Sequence, residues 1–178
     1  MINNEKPRLA IDMDEVLTDT LRKFLTLYNR DYGIAMDIHQ APGKELHENL
    51  PEGVNGQWKI YANEKGFFRD IPPMPDAIET VKALSAHYNV YIVSAAMEFR
   101  NSLEDKFDWL GEHFPFIPWT NILFTGDKII SADILIDDRV RNLVHFNGRK
   151  LLFTSPHNLL VNEYERVNNW KEVAGLLL

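Results

Sequence analysis

Short apolar runs, bounded by polar residues and separated by longer amphipathic stretches, recur along the chain. Runs of this length are typical of buried parallel strands. The pattern predicts strands at 9–11, 90–93, 122–124, 134–136 and 151–153. Because helical patterns fall between these runs, we expect an α/β fold, a three-layer sandwich around a central parallel, Rossmann-like sheet.

Helical spacing is clearest in the stretch before the third predicted strand. Its apolar positions are four, four, three and four residues apart, which predicts one buried helix face made of Phe99, Leu103, Phe107, Leu110 and Phe114. A second helix is predicted after Pro75-Asp76, and a last one near 167–177.

The first two predicted strands are too far apart for a simple crossover. Ile11 and Val90 are separated by 79 positions, whereas a strand–helix–strand unit takes about 30 residues. We therefore predict an α/β core of residues 1–19 and 71–178 with a small helical insertion at 20–70.

Two acidic pairs stand where predicted strands end. Asp12 and Asp14 follow the first strand, and Asp137 and Asp138 follow the fourth. Ligand sites in open α/β sheets lie beyond the carboxyl ends of strands, so four carboxylates converge if these strands are neighbours. Two like charges about 4 Å apart repel by roughly 4 kcal/mol at an effective dielectric of about 20, which favours protonation or a bound cation. All-oxygen ligands suit Mg2+.

A simpler interpretation exists for any single one of these residues. An Asp after a strand is often a helix N-cap, and Asp19 or Asp138 could have that role. The doubled pattern on two separate strands favours the metal site.

Composition narrows the function classes. The chain has 178 residues, no cysteine, six histidines without paired ligand spacing and a formal net charge of −7. This argues against zinc, disulfides and thiol chemistry, and against binding of nucleic-acid polymers or anionic membranes. The N-terminus lacks an apolar signal region and no stretch could span a bilayer, so a cytoplasmic location is the default expectation.

The acidic pairs also carry a family resemblance. The first resembles the nucleophile motif of the haloacid dehalogenase-like phosphohydrolases, Asp-x-Asp, and the second resembles their last, metal-binding motif. Ser94 and Lys128 follow apolar runs at the places where that superfamily has phosphate-binding residues. Lys128 taken alone is compatible with a surface lysine. The four motifs in order are a specific signal.

A closer similarity is to the 5'(3')-deoxyribonucleotidases, which remove phosphate from nucleoside monophosphates. It extends from about residue 8 to about residue 170. It depends on Asp12-Met13-Asp14-x-Val16-Leu17-x-Asp19, Gly66-Phe67-Phe68-Arg69, Asp127-Lys128, the run 131–139, and Leu152-Phe153-Thr154 with His157-Asn158.

This resemblance implies a mechanism. Asp12 would attack phosphorus and form an aspartyl phosphate, and Asp14 would serve as acid and then base. Mg2+ would be held by Asp12, by the backbone carbonyl of Asp14 and by the second pair. Of Asp137 and Asp138, one would bind it directly and the other directly or through water. The insertion would be a cap over the site. Relatives are often dimers, which leaves a homodimer open.

The nucleoside part of the site is less well specified. Candidate substrate contacts are Trp58, Phe67 and Arg139. Aromatic residues in a helical insertion more often form a core within the cap, and the arginine fits a pair with an acidic neighbour equally well. Glu15 replaces the commoner Gly of the first motif. Three functions stay open: a deoxyribonucleotidase, which we favour, a phosphatase of another small phosphomonoester, and a catalytically idle member that binds a phosphorylated ligand.

Overall fold

The computed structural model describes residues 6–37 and 42–178. Within these ranges the strands are β1 (Arg8–Ile11), β2 (Asn89–Ser94), β3 (Ile122–Phe124), β4 (Ile134–Asp137), β5 (Arg149–Phe153) and β6 (Glu165–Val167). They form one parallel sheet in the order β3-β2-β1-β4-β5-β6. The chain therefore moves outward from β1 in one direction and then in the other, which creates the switch point where such sheets bind ligands.

The α-helices of the described residues are α1 (Thr20–Tyr32), α2 (Gln57–Asn63), α3 (Ala77–Leu84), α4 (Ser102–His113), α5 (Val140–Val144) and α6 (Trp170–Leu177). Side chains of β1 alternate between the two faces of the sheet, as they must in a strand. Leu9 and Ile11 pack in a core with residues of α3, α4 and α6, whereas Ala10 packs on the opposite face with Leu143 of α5. The three-layer α/β sandwich predicted from the sequence is confirmed.

The long segment between β1 and α3 has a hydrophobic core of its own. Tyr28 of α1 and Tyr61 of α2 are buried there with Phe67 and Phe68. The Tyr28 hydroxyl donates to the Val54 carbonyl oxygen over 3.0 Å and accepts from the α2 backbone over 2.8 Å. The boundaries at 20 and 70 remain a prediction, and residues 1–5 and 38–41 of the two predicted domains lie outside the described residues.

Three details differ from the sequence pattern. The strand β6 was not predicted, because it is three residues long with only Val167 apolar, and its backbone pairing with β5 defines it. The last helix begins at Trp170 rather than at 167, with Asn169 as its N-cap. Of the predicted apolar face, Leu110 and Phe114 are buried, but Phe107 is 50% exposed. The reason is that Lys106 and Trp109 complete the buried face of α4 instead.

The buried face of α4 is partly polar. Its buried residues are Ser102, Asp105, Lys106, Trp109 and Leu110. Apolar spacing alone could not identify this face, since two of its members are charged. Within the described residues, no helix combines the length and apolar character needed to cross a membrane.

Candidate active site

The register of the sheet brings the two acidic motifs together. Ile11 of β1 pairs with Ile136 of β4, so Asp12 and Asp137 continue neighbouring strands at the same edge. The Asp12 backbone N–H donates to the Ile136 carbonyl oxygen over 2.9 Å. One carboxylate oxygen from each of Asp12, Asp137 and Asp138 lies within 4.8 Å of the others, and all three residues are buried. The structure thus brings three of the four predicted carboxylates into one cluster, of which the Asp14 side chain is not a member.

Asp137 is fully engaged by protein donors. Its Oδ1 accepts the Arg139 backbone N–H over 2.8 Å, and the Asn142 side-chain amide lies 3.0 Å from both carboxylate oxygens. Its Oδ2 accepts from Lys128 Nζ over 2.8 Å. These bonds fix the Asp137 carboxylate and neutralise much of its charge.

The Asp138 carboxylate is less well supplied with hydrogen-bond donors than that of Asp137. Its Oδ2 is buried and has no hydrogen-bond partner among the described residues. The guanidinium Nε of Arg139 lies 3.5 Å away, and His157 Nε2 lies 3.4 Å away in a partly buried setting that lowers the pKa of the imidazole and disfavours its charged form. A buried oxygen without a donor costs about 1–3 kcal/mol or more when charged. Together with the all-oxygen donor set of the cluster, this oxygen fits a divalent metal ion.

The pKa values of the cluster show the same shortage of positive charge. Burial raises the pKa of Asp12 to about 6, with Asp137 and Asp14 adding to the rise and Lys128 opposing it. Burial also raises the pKa of Asp138 well above its ordinary value, although Arg139 opposes the change. A cation in the cluster would favour the ionised forms.

Lys128 is buried at the centre of the cluster. Its ammonium group pairs with Asp12 Oδ1 and with Asp137 Oδ2. Burial by itself would lower the pKa of Lys128, but the two carboxylates outweigh burial and raise that pKa above its usual value. The residue is therefore a charged, fixed cation and not a surface lysine.

The loop after β1 positions Asp14 beside Asp12. The N–H groups of Leu17 and Thr18 donate to the Met13 carbonyl oxygen over 2.8 and 3.0 Å, which closes a tight turn. The Asp14 carboxylate accepts at Oδ1 from the Thr20 hydroxyl over 3.1 Å. Its Oδ2 is bonded to Lys106 Nζ at 2.5 Å.

Glu15 stands where the resemblance to the first motif expects Gly, and its backbone conformation is one that suits Gly. Its φ is 61°, in the left-handed region that Gly adopts without strain. The side chain compensates by accepting the Leu21 backbone N–H over 2.7 Å. Burial, assisted by Asp14 and Asp19, raises the pKa of Glu15 to about 8.

Sequence analysis missed Lys106. It lies on the buried face of α4, and its ammonium group also meets the Ser94 hydroxyl at 3.1 Å. No sequence motif marks it, because it stands 92 positions from Asp14. The only sequence signal was a charged residue within an otherwise amphipathic helix.

A cleft of about 360 Å3 opens above these groups. Its floor includes Asp12, Asp14, Lys128 and Asp138. Its walls carry aromatic side chains, a histidine and an ion pair, namely Phe24, Trp58, Phe68, Phe99, His47 and Arg139 with Glu45. The arrangement has the volume and chemistry for a small anion that carries a flat apolar group.

The other sequence candidates are placed as follows. Ser94 is buried at the end of β2 and contacts Lys106. Trp58 lines the cleft, as does Arg139, which also pairs with Glu45 as the alternative interpretation allowed. Phe67 does not line the cleft: it is buried in the second core, 4.7 Å from Phe24 between ring centroids.

The N-cap interpretation applies to only one of its two candidates. Asp19 caps α1 and accepts the Arg22 backbone N–H over 3.1 Å. Asp138 does not cap α5, whose N-cap position is Arg139.

Comparison with known proteins gives concordant results. A model of the family "5' nucleotidase, deoxy (Pyrimidine), cytosolic type C protein" matches residues 6–178. A 5'(3')-deoxyribonucleotidase of Bacillus subtilis (strain 168) is 36% identical over 178 residues, covering 97% of this chain and 99% of that protein. A Staphylococcus epidermidis protein (strain ATCC 12228) with the same name, given provisionally, is 41% identical over 171 residues, covering 96% and 95%.

Solved structures agree on the fold. A haloacid dehalogenase-like family hydrolase from Streptococcus pneumoniae superposes with a TM-score of 0.60 at 13% identity, covering 97% of this chain and 99% of that one. At this identity the likeness concerns the fold alone.

Proposed function

The chain belongs to the cytosolic type C family of 5' deoxy(pyrimidine) nucleotidases, a family of phosphomonoesterases, and from this premise we propose that it is a Mg2+-dependent 5'(3')-deoxyribonucleotidase acting through an aspartyl phosphate. One observation carries the proposal. The carboxylates of Asp12, Asp137 and Asp138 lie together beside the buried ammonium group of Lys128, at the floor of a cleft with aromatic walls.

The donor set supports Mg2+ as the metal. We assign direct binding to Asp12, to Asp138 through its unpartnered oxygen, and to the backbone carbonyl of Asp14. Asp137 would not be a direct ligand of the ion, since both of its oxygens already accept protein hydrogen bonds. When bound, the ion supplies positive charge that reduces repulsion between the nucleophile and the phosphate dianion.

Asp12 is the proposed nucleophile. The Met13 backbone N–H donates to Asp12 Oδ1 over 2.7 Å, and Lys128 pairs with the same oxygen. The carboxylate is thereby held in one orientation, and in this proposal Oδ2 attacks phosphorus. Lys128 and the Ser94 hydroxyl would bind phosphoryl oxygens as negative charge spreads over them.

Asp14 is the proposed acid and base. As the bond between phosphorus and the ester oxygen breaks, Asp14 would give its proton to that oxygen, which leaves as the nucleoside hydroxyl. Asp14 would then take a proton from water, whose oxygen attacks the aspartyl phosphate and releases inorganic phosphate and free Asp12. The side chain of Asp14 is 34% exposed toward the cleft that it lines, so it can reach substrate.

The cleft walls support a nucleoside as leaving group. Phe24, Trp58 and Phe99 offer apolar ring surface, and His47 stacks on Trp58 at 6.4 Å between centroids. Flat bases gain about 1–3 kcal/mol from stacking on aromatic side chains. Arg139 and Glu45 add hydrogen-bonding groups for the sugar or base.

The test is a substrate panel. Deoxyribonucleoside 5'- and 3'-monophosphates, ribonucleotides and sugar phosphates are compared with Mg2+ and with a chelator, while released phosphate is measured. We expect Mg2+-dependent turnover with the highest kcat/KM for deoxynucleotides. Faster turnover of sugar phosphates would replace the nucleotidase assignment with another phosphatase, and no turnover of any compound would leave the idle binding member.

A further inference from the structure

Lys106 is a buried charge that the proposed mechanism does not use. The residue is 2% exposed. Lysines are seldom buried without a charged or polar partner, because desolvation of an ammonium ion is costly. Its ammonium group meets Asp14 Oδ2 at 2.5 Å, Ser94 Oγ at 3.1 Å and the face of the Phe68 ring at 4.3 Å.

The helix that carries Lys106 is fixed on both sides of it. The neighbouring Asp105 accepts the backbone N–H groups of Gly66 and Phe68 over 2.8 and 3.3 Å. Trp109, one turn later, donates to the Ile71 carbonyl oxygen over 2.7 Å. These contacts tie α4 to the segment 66–71, so the ammonium group has little freedom to move away from Asp14.

Asp14 is held at both carboxylate oxygens. Thr20 donates to Oδ1, and the Thr20 hydroxyl is itself paired with that of Thr18 at 2.9 Å. Lys106 holds Oδ2. A carboxyl group that transfers a proton needs a fixed orientation, since small displacements reduce the rate steeply.

We propose that Lys106 is a positioning residue for Asp14, reserving Oδ2 as an acceptor so that the transferred proton resides on Oδ1. This inference depends on the proposed function, because it assigns a partner to the proposed acid. Oδ2 accepts the Lys106 hydrogen bond in both protonation states of the carboxyl group, as a carboxylate oxygen and as the carbonyl oxygen of the acid. The proton can then leave from Oδ1 and return there without reorganisation of the pair.

Leaving-group dependence separates positioning of an acid from binding of phosphate. A nucleoside hydroxyl needs a proton as it departs, whereas p-nitrophenolate departs without one. The parameter to compare is kcat/KM, which covers the steps up to departure of the leaving group and excludes hydrolysis of the aspartyl phosphate. A general acid contributes about 10²–10⁴-fold.

The experiment measures kcat/KM for a deoxynucleoside 5'-monophosphate and for p-nitrophenyl phosphate, with Mg2+. The test variant is Lys106→Met, and Asp14→Asn is the reference for loss of the acid. Lys65→Met is the control, since Lys65 is an exposed lysine whose ammonium group lies 3.4 Å from the carboxylate of Glu104, a residue of α4. We expect Lys106→Met to lose about 100-fold with the nucleotide and less than about 5-fold with the aryl ester. Asp14→Asn should show the same selectivity, and Lys65→Met should match the wild type.

Equal losses with both substrates would overturn the inference and assign Lys106 to phosphate binding or to structure alone. Circular dichroism and the melting temperature identify a variant that fails to fold. In that case Lys106→Gln is measured instead. Its amide can still donate to Oδ2 without the charge, so we expect a smaller loss with the nucleotide than in Asp14→Asn, and any loss must again be larger with the nucleotide than with the aryl ester. A wild type that hydrolyses neither ester would contradict the proposed function itself, which is a distinct outcome.

Discussion

The indole nitrogen of Trp170 donates a hydrogen bond to the Val16 carbonyl oxygen over 2.8 Å, and both residues are buried. Trp170 is the first residue of the C-terminal helix α6, and Val16 lies two positions after Asp14. The last helix of the chain thereby supports the loop that carries both residues of the first acidic pair.

We expect Trp170→Phe to destabilise the protein by about 1–3 kcal/mol, since the buried Val16 carbonyl group loses its donor while most of the ring volume remains. Activity should fall as well, because the loop supports Asp14. Chemical denaturation measures the first effect and steady-state kinetics the second. Trp119→Phe is the matched control, since Trp119 is 74% exposed. Equal stability of the two variants would show that the hydrogen bond contributes nothing.

The two adjacent carboxylates of the second pair should respond differently to neutralisation. Asp138 has the unpartnered oxygen and is the proposed direct ligand, so Asp138→Asn should raise the Mg2+ concentration for half-maximal activity by more than the roughly 10–100-fold that loss of an outer-shell partner costs. Asp137→Asn should instead lower stability by about 1–3 kcal/mol, because Lys128, Asn142 and Arg139 lose a charged acceptor.

Magnesium titrations of activity and urea denaturation of both variants check this division. The assignment is wrong if Asp137→Asn shifts the magnesium requirement while Asp138→Asn leaves it unchanged.

Replacement of the proposed nucleophile should remove turnover. We expect Asp12→Asn to lower kcat by at least about 10⁴-fold, because a neutral amide cannot form the covalent intermediate. Asp19→Asn is the control, since Asn caps a helix about as well as Asp and the Asp19 side chain caps α1. Acid-quenched wild-type enzyme should carry labelled phosphate that the Asp12 variant lacks. Turnover of Asp12→Asn near the wild-type rate would refute the assignment.

Asp31 should give the stability a pH dependence in the acid range. The Arg30 guanidinium and the Tyr61 hydroxyl donate to it and lower its pKa to about 2. An Asp in the unfolded chain has a pKa of about 3.9. The stabilisation of the folded state is therefore fully present above that pH and is lost as the pH falls toward about 2.

We therefore expect the wild type to exceed Asp31→Asn in stability at about pH 6, with the difference shrinking below about pH 4. Urea denaturation at several pH values measures it, with Asp108→Asn, an exposed change on α4, as the control for a lost carboxylate. A difference that stays constant from about pH 6 to about pH 3 would contradict the stated cause.

Several features could be predicted from the sequence because they depend on local patterns. Buried parallel strands need continuous apolar runs, which made five of the six strands visible among the described residues. The acidic pairs at the ends of β1 and β4 were visible for the same reason, since each pair directly follows an apolar run, at the carboxyl end of a strand where ligand sites lie. The pairing of Ile11 with Ile136 then made them neighbours.

Other features were decided only by tertiary structure. The strand β6 exists through its pairing with β5, and its own residues carry little apolar signal. Phe107 continued the apolar spacing of α4, yet it is exposed, while the charged residue next to it is buried. Lys106 is stable inside because Asp14 and Ser94, remote in sequence, supply its partners. Local patterning determines most of the strands and helices, but whether a charged side chain can be buried depends on partners that only the folded chain brings near it.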